Sequence, residues 1–201
     1  MKLYFHKDAC SLTVRILMHE LGLACEYESV DLKTKKTASG ADYKTINRKG
    51  SVPALILDDG QMLTENIAIQ FYLAEKHPKQ QLIPTEHSMK RYHTIEWLSF
   101  ISTDLHKSFV PFFAAHVPED AKIGIFTTIL RAKFNAINAQ LAHHDYIAGD
   151  TFTSPDAYLF VVTRWLPATP LSLKEFPHLQ RFMDEMHQRP SVKAALAEEK
   201  E

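Results

Sequence analysis

Gly50-Ser51-Val52-Pro53-Ala54-Leu55-Ile56-Leu57-Asp58-Asp59-Gly60-Gln61-Met62-Leu63-Thr64-Glu65-Asn66 sets a proline directly before a strand pattern and an acid-amide pair directly before a helix pattern. Ala54 to Leu57 is a short apolar run closed by Asp58-Asp59-Gly60, a hairpin turn signal, and Met62-Leu63-Thr64 reads as the returning strand. Pro53 therefore stands at the first position of a strand, where a missing N–H is tolerated. A proline at such a junction is a candidate for a cis peptide bond, which would turn the Val52 N–H and C=O outward to pair with an extended peptide. The run from Glu65 to Lys76 is rich in helix-compatible apolar residues, with Thr64 or Asn66 as the N-cap. Unpaired N–H groups at that helix start favour a carboxylate and Glu65 suits an ammonium group, so the pair fits the zwitterionic end of an amino acid. Ordinary helix capping uses the same residue types.

Towards the amino terminus, Lys2 to Phe5 reads as a strand, and Ser11 to Leu21 as a helix with Leu12, Val14, Leu17, Met18 and Leu21 at helical spacing and Gly22 at its end. Tyr27 to Leu32 alternates like a strand, and a polar segment runs from Lys33 to Lys49. The order β-α-β, then β-β-α, predicts a thioredoxin-like sheet over residues 1–77. His77-Pro78 to Pro84-Thr85 lacks periodicity, which places a linker at 78–87. Residues 88–201 read as all-helical, giving an α/β domain followed by an all-α domain. Ser88 to Val110 forms one long helix stopped by Pro111. Ala121 to His143 forms another, with Ile125, Ile129, Leu130, Phe134, Ile137 and Leu141 on its apolar face. Thr153 and Asp156 form a structural capping box whose loss costs about 1 kcal/mol. Phe176 to Arg189 and Val192 to Lys200 are the last helices, separated by Pro190.

Hydrophobic residues make up 45% of the 201 residues and charged ones 23%, with 23 Lys plus Arg against 24 Asp plus Glu. That balance, without long charge blocks, points away from nucleic acid and from an anionic membrane surface. No segment approaches the ~20 apolar residues of a membrane span and no signal-peptide pattern opens the chain, so the expected location is the cytoplasm.

Cys10 lies between a strand and a helix start, where the positive end of the helix dipole favours an anion and can lower a thiol pKa from ~8.5 into the range ~3.5–7.5. The competing reading is a small buried hydrophobe. Cys25, between a helix end and a strand start, reads as structural. His77, His87, His116, His143, His144, His178 and His187 fall in linkers or polar helical stretches without H-x-x-x-H spacing, so no metal is expected. His6 is near Cys10 in sequence, and surface placement is expected for it.

Val52-Pro53 before a strand, Thr64-Glu65-Asn66 opening a helix, and Thr153-Ser154-Pro155-Asp156 in an all-helical second domain together resemble the cytosolic glutathione transferases. Lys2-Leu3-Tyr4-Phe5, Ala9-Cys10-Ser11-Leu12, Tyr92-His93-Thr94-Ile95-Glu96-Trp97-Leu98 and Leu105-His106-Lys107 look like the bacterial beta class, over essentially the whole chain. The resemblance implies a homodimer that conjugates glutathione, a co-substrate rather than a permanently bound cofactor, to small hydrophobic electrophiles. It implies that Cys10 faces the glutathione sulfur and can form a mixed disulfide with it, with His106 reaching the same region. It further implies that Val52 pairs with the cysteinyl backbone, that Glu65 and Asn66 hold the γ-glutamyl end, and that Lys35 approaches the glycyl carboxylate. The resemblance also implies that Ser99, Thr103 and Asp104 contribute, partly from the neighbouring subunit of a dimer. The chain has Ser99 where many relatives have Asn, and Tyr4-Phe5 where relatives commonly end the strand in Tyr. Phe109, Phe112 and Phe113 are candidates for the electrophile pocket, and Ser11, His106 or a backbone N–H for thiolate stabilisation. Two other readings keep the fold: a glutathione-dependent disulfide reductase or peroxidase using Cys10, and a non-catalytic binding protein.

Overall fold

The computed structural model describes residues 1–199, which divide into two compact units. The first comprises Met1–Gln80 and the C-terminal helix from Pro190, and the second is Gln81–Arg189. In the first unit β1 (Lys2–Phe5), α1 (Ser11–Glu20) and β2 (Glu26–Asp31) form the expected β-α-β unit, with β1 and β2 parallel and Leu3 opposite Tyr27. Two short elements follow within the segment expected to be merely polar, β3 (Lys36–Thr37) and α2 (Tyr43–Ile46). Two residues of strand and one turn of helix are too short to show a period, although the Asp42 side chain, which accepts from the Lys44 N–H at 2.9 Å, is a cap signal. The hairpin of β4 (Ala54–Ile56) and β5 (Met62–Thr64) leads into α3 (Asn66–Lys76). Strand order is β3-β2-β1-β4-β5, with β4 antiparallel to both β1 and β5.

Residues Ser11 to Met18 of α1 are all buried, because the helix is packed by the sheet, by α3 and by the C-terminal helix. Gly22 ends it at φ +65°, its N–H on the His19 carbonyl and the Leu23 N–H on that of Met18, the paired bonds of a left-handed helix terminus. Tyr4 and Phe5 diverge to opposite faces of the sheet as alternation requires. Tyr4 joins Val30, Tyr43, Val52 and Ala54 in a buried cluster. Phe5 and Tyr27 instead flank the buried Arg15 guanidinium, 4.2 and 4.0 Å from their ring centres.

In the second unit Ser88 caps α4 (Met89–Phe100). The expected single helix to Val110 is instead interrupted by a wide turn at Ile101–Leu105, followed by α5 (His106–Ser108) and α6 (Val110–Phe113). Pro111 does not stop this helical path. It sits in the first turn of α6, where its missing N–H would have had no intrahelical partner. After α7 (Glu119–Ala121) and a second wide turn at Lys122–Phe126, α8 (Thr127–Leu141) buries Leu130, Phe134, Ile137 and Leu141. Ile125 and Ile129, expected on the same face, are 59% and 43% exposed: they fall off the i, i+4, i+7 stripe that the other four define. In α9 (Ser154–Thr163) every residue is buried. Leu82 and Ile83, expected in a linker, are buried in this unit, and the Leu82 carbonyl accepts from the Ser154 N–H at 2.8 Å.

After α10 (Pro177–Gln188), Pro190 opens α11 (Pro190–Glu198) rather than merely separating two helices. This helix packs on α1, with the Ser191 hydroxyl on the Glu20 carboxylate at 2.7 Å and His19 3.0 Å from Glu198. It therefore belongs with the sheet unit, not with the expected 88–201 domain. The expected helix end at Lys200 and the domain end at residue 201 lie outside the described residues. Among the described residues no helix is long and apolar enough to cross a membrane.

Candidate active site

Cys10 occupies the N-cap position of α1, half-buried, with no side chain capping the helix and its thiol 3.6 Å from the Val52 carbonyl. The loop from His6 to Ala9 that delivers it is tied down along its length. The His6 ring donates from Nδ1 to the Val30 carbonyl at 2.8 Å, so His6 is a half-buried anchor rather than a surface residue. The Ser11 hydroxyl is buried and engaged with the His6 backbone, 3.2 Å from both its N–H and its carbonyl. That geometry assigns Ser11 to the loop and removes it as a donor to a bound thiolate. Asn66 Nδ2 donates to the Cys10 carbonyl at 2.8 Å, and Asn66 Oδ1 accepts from Gln70 at 2.8 Å. With its amide so engaged, Asn66 has its backbone N–H, at the start of α3, to offer a ligand.

The Val52–Pro53 bond is cis. The preceding Ser51 carbonyl accepts from the Tyr43 hydroxyl at 2.9 Å and from Asn47 Nδ2 at 2.8 Å, and Lys35 Nζ donates to the Gly50 carbonyl at 2.8 Å. Three side chains thus hold this segment beside Cys10, and the Val52 N–H meets no acceptor among the described residues. Glu65, not Thr64 or Asn66, is the N-cap of α3. It takes φ +74°, and no side chain caps the first turn of that helix. Its exposed carboxylate accepts from Lys49 Nζ at 2.7 Å, which also donates to the Thr64 hydroxyl at 3.1 Å. Lys49, Asn47 and Tyr43 were missed in the sequence because they lie in the polar segment, where no periodicity marks them. Cys25 contrasts with Cys10: its thiol donates to the Glu26 carbonyl at 3.3 Å, and burial pushes its pKa up.

The remaining expected site residues are in the helical unit. Thr103 Oγ1 lies 2.9 Å from both the Ser99 carbonyl and Asp104 Oδ2, and Lys133 donates to Asp104 Oδ1 at 2.7 Å. The Lys133 and Thr103 bonds lower the Asp104 pKa, keeping it ionised. The Ser99 side chain is exposed. His106 lies 2.7 Å from the Tyr158 hydroxyl, edge-on to Trp165 with ring centres 4.8 Å apart, and burial lowers its pKa to about 4. The imidazole is therefore neutral at pH 7. When Tyr158 donates to Nδ1, the ring proton sits on Nε2 and points a donor away from Tyr158. Of the aromatic candidates, Phe109 is fully buried and belongs to the core. Phe112 is half-buried and Phe113 is 58% exposed. Trp165, absent from the sequence reading, joins them, 5.7 Å from Phe109 and 5.9 Å from Phe113 between ring centres.

Two structural carboxyl contacts complete this unit. Asp156 closes the capping box on Thr153 and also accepts from the Ile147 N–H at 2.8 Å, so one side chain pins both a helix start and the loop before it. Burial raises its pKa to about 7, against the pull of these donors.

Residues 1–75 match the glutathione S-transferase N-terminal domain and residues 100–190 the glutathione S-transferase C-terminal domain. The chain belongs to the glutathione S-transferase family. It is 44% identical over 199 residues to glutathione S-transferase GstA of Escherichia coli O157:H7, covering 99% of this chain and 98% of that one. A sphingomonad glutathione S-transferase complexed with glutathione superposes with a TM-score of 0.94 at 38% identity, covering 100% and 99% of the two chains. The beta class glutathione S-transferase of Sphingomonas chungbukensis gives 0.93 at 38% identity, covering 99% and 98%. The two matched domains correspond to the thioredoxin-like sheet unit and the helical unit of this fold, and the likeness to the beta class transferase extends over 99% of the chain.

Proposed function

We propose that the protein conjugates reduced glutathione to hydrophobic electrophiles, binding the tripeptide on its sheet unit and taking the electrophile against aromatic side chains of its helical unit. The observation that carries this reading is the grouping of a half-buried thiol at a helix start, an unengaged Val52 N–H beside it, and the uncapped start of α3 at Glu65-Asn66. An extended tripeptide would pair its cysteinyl backbone with Val52, as strands pair. Its γ-glutamyl carboxylate would meet the N–H groups opening α3, and its ammonium the Glu65 carboxylate in place of Lys49. Lys35 would take the glycyl carboxylate. The aromatic side chains of Phe112, Phe113 and Trp165 suit an electrophile with an aromatic ring.

The chemistry begins with the glutathione thiol losing its proton to water, because the thiolate is the nucleophile. With an aryl halide, the sulfur attacks the ring carbon, the C–S bond forms, and halide leaves with the bonding pair. The neutral His106 imidazole keeps one N–H that is not engaged with Tyr158 and suits an anion. In this reading the protein is a cytoplasmic homodimer, and Ser99, Thr103 and Asp104 contribute across the subunit interface. Purified protein should consume a chlorodinitrobenzene only in the presence of glutathione; folded protein without such a rate would refute conjugation.

The Cys10 thiol favours a second reaction. Its thiolate attacks glutathione disulfide, an S–S bond forms between Cys10 and one glutathione, and the other leaves as thiolate. Without a C-x-x-C motif, a second glutathione must resolve the mixed disulfide. Cys10→Ala should abolish disulfide turnover while glutathione still binds, and undiminished turnover would exclude this route.

A further inference from the structure

The C-terminal helix reaches the loop that carries Cys10. Glu199, immediately after α11, is 6% exposed, and its Oε2 accepts from the Asp8 N–H at 3.2 Å. Asp8 sits at φ +59°, a left-handed conformation that costs a non-glycine residue roughly 1–2 kcal/mol and persists only where surroundings hold it. The two ends of the loop have their own anchors, His6 on Val30 and Cys10 on Asn66. Glu199 reaches the middle. Its own position is fixed by α11, which the Ser191–Glu20 and His19–Glu198 contacts fasten to α1. We infer that Glu199 is a positioning residue for the Cys10 thiol, acting through the Asp8 backbone to keep that thiol at the start of α1.

The inference rests on Cys10 being the reactive thiol of the proposed site, but its mechanism concerns the loop and not glutathione. Removing the acceptor frees the Asp8 N–H and lets the loop leave its left-handed turn. The thiol then loses its fixed place at the helix start, and thiolate is less favoured. Glutamine retains an acceptor oxygen without the charge; methionine keeps the length and bulk of the side chain without a comparable acceptor.

The test is the rate of Cys10 alkylation by iodoacetamide between about pH 5 and pH 9, in a Cys25→Ser background, for the parent, Glu199→Gln and Glu199→Met proteins, with thermal melts alongside. Glu199→Gln should react within about twofold of the parent, and Glu199→Met about fivefold or more slowly at pH 7, with the midpoint of its pH profile moved upward. A methionine variant that matches the parent, or a glutamine variant as slow as the methionine one, overturns the inference. Asp8→Gly guards against a general loss of folding: glycine takes the left-handed turn at no steric cost, so adding it to Glu199→Met should recover rate. Failure to recover counts against the loop as the route. Alkylation needs no glutathione, so a protein that fails to conjugate glutathione leaves this comparison decisive.

Discussion

Glu65 combines a left-handed backbone, an exposed carboxylate and a lysine partner, and only the carboxylate was legible in the sequence. The Lys49 contact joins two exposed side chains and is worth at most about 1 kcal/mol, so an incoming ammonium can replace it. Glu65→Gln should raise KM for glutathione roughly tenfold, about 1.4 kcal/mol, with a smaller effect on kcat, as steady-state kinetics would show. An unchanged KM would remove Glu65 from the site. The Asn66 side-chain amide joins the Cys10 carbonyl to Gln70, which leaves its backbone N–H for the γ-glutamyl end proposed for it. Sequence offers no means of finding that contact, because its partners are 56 residues and one helical turn away. His106 supplies a pH test. Its folded pKa, about 4, lies below the unfolded value of ~6.5, so the unfolded chain binds the additional proton between these limits. Stability should therefore fall as pH drops from about 6.5 towards 4, and His106→Asn should flatten that slope in urea denaturation series; an unaltered slope would contradict the neutral imidazole.

The elements themselves were read well where a period or cap marks them. The strand Lys2–Phe5, the helix from Ser11 and the Thr153–Asp156 box stand where sequence put them, because each is decided by local chemistry. Pro111 does not stop its helix because in a first turn proline is compatible with the helix, and Pro190, which separates the last two helices as expected, opens the second of them for the same reason. Ile129 is apolar but sits about 100° round α8 from Leu130, off the buried stripe, and Ile125 lies in the wide turn before α8, which hydrophobicity alone does not reveal. The box makes an energetic prediction at this scale. Thr153→Ala should cost about 1 kcal/mol, while Asp156→Ala, which also strands the buried Ile147 N–H, should cost about 3 kcal/mol in chemical denaturation. Equal costs would show that the Ile147 contact contributes nothing.

At the scale of the molecule, the order of strands and helices identified both the sheet unit and the helical unit, but not that the chain returns to the first with α11. A helix that docks on a distant segment carries the same amphipathic signal as one that stays with its neighbours. Light scattering should give about twice the 23.0 kDa chain mass, and a monomer at micromolar concentration would contradict the proposal that Ser99, Thr103 and Asp104 contribute across a subunit interface. The central claim, a glutathione site built around Cys10, is tested most directly by exposing the protein to glutathione disulfide and locating the adduct by peptide mass spectrometry. The account predicts one glutathionyl group on Cys10 and none on Cys25, whose burial-raised pKa keeps it a thiol. Modification of Cys25 alone, or of neither cysteine while iodoacetamide still labels Cys10, would contradict it.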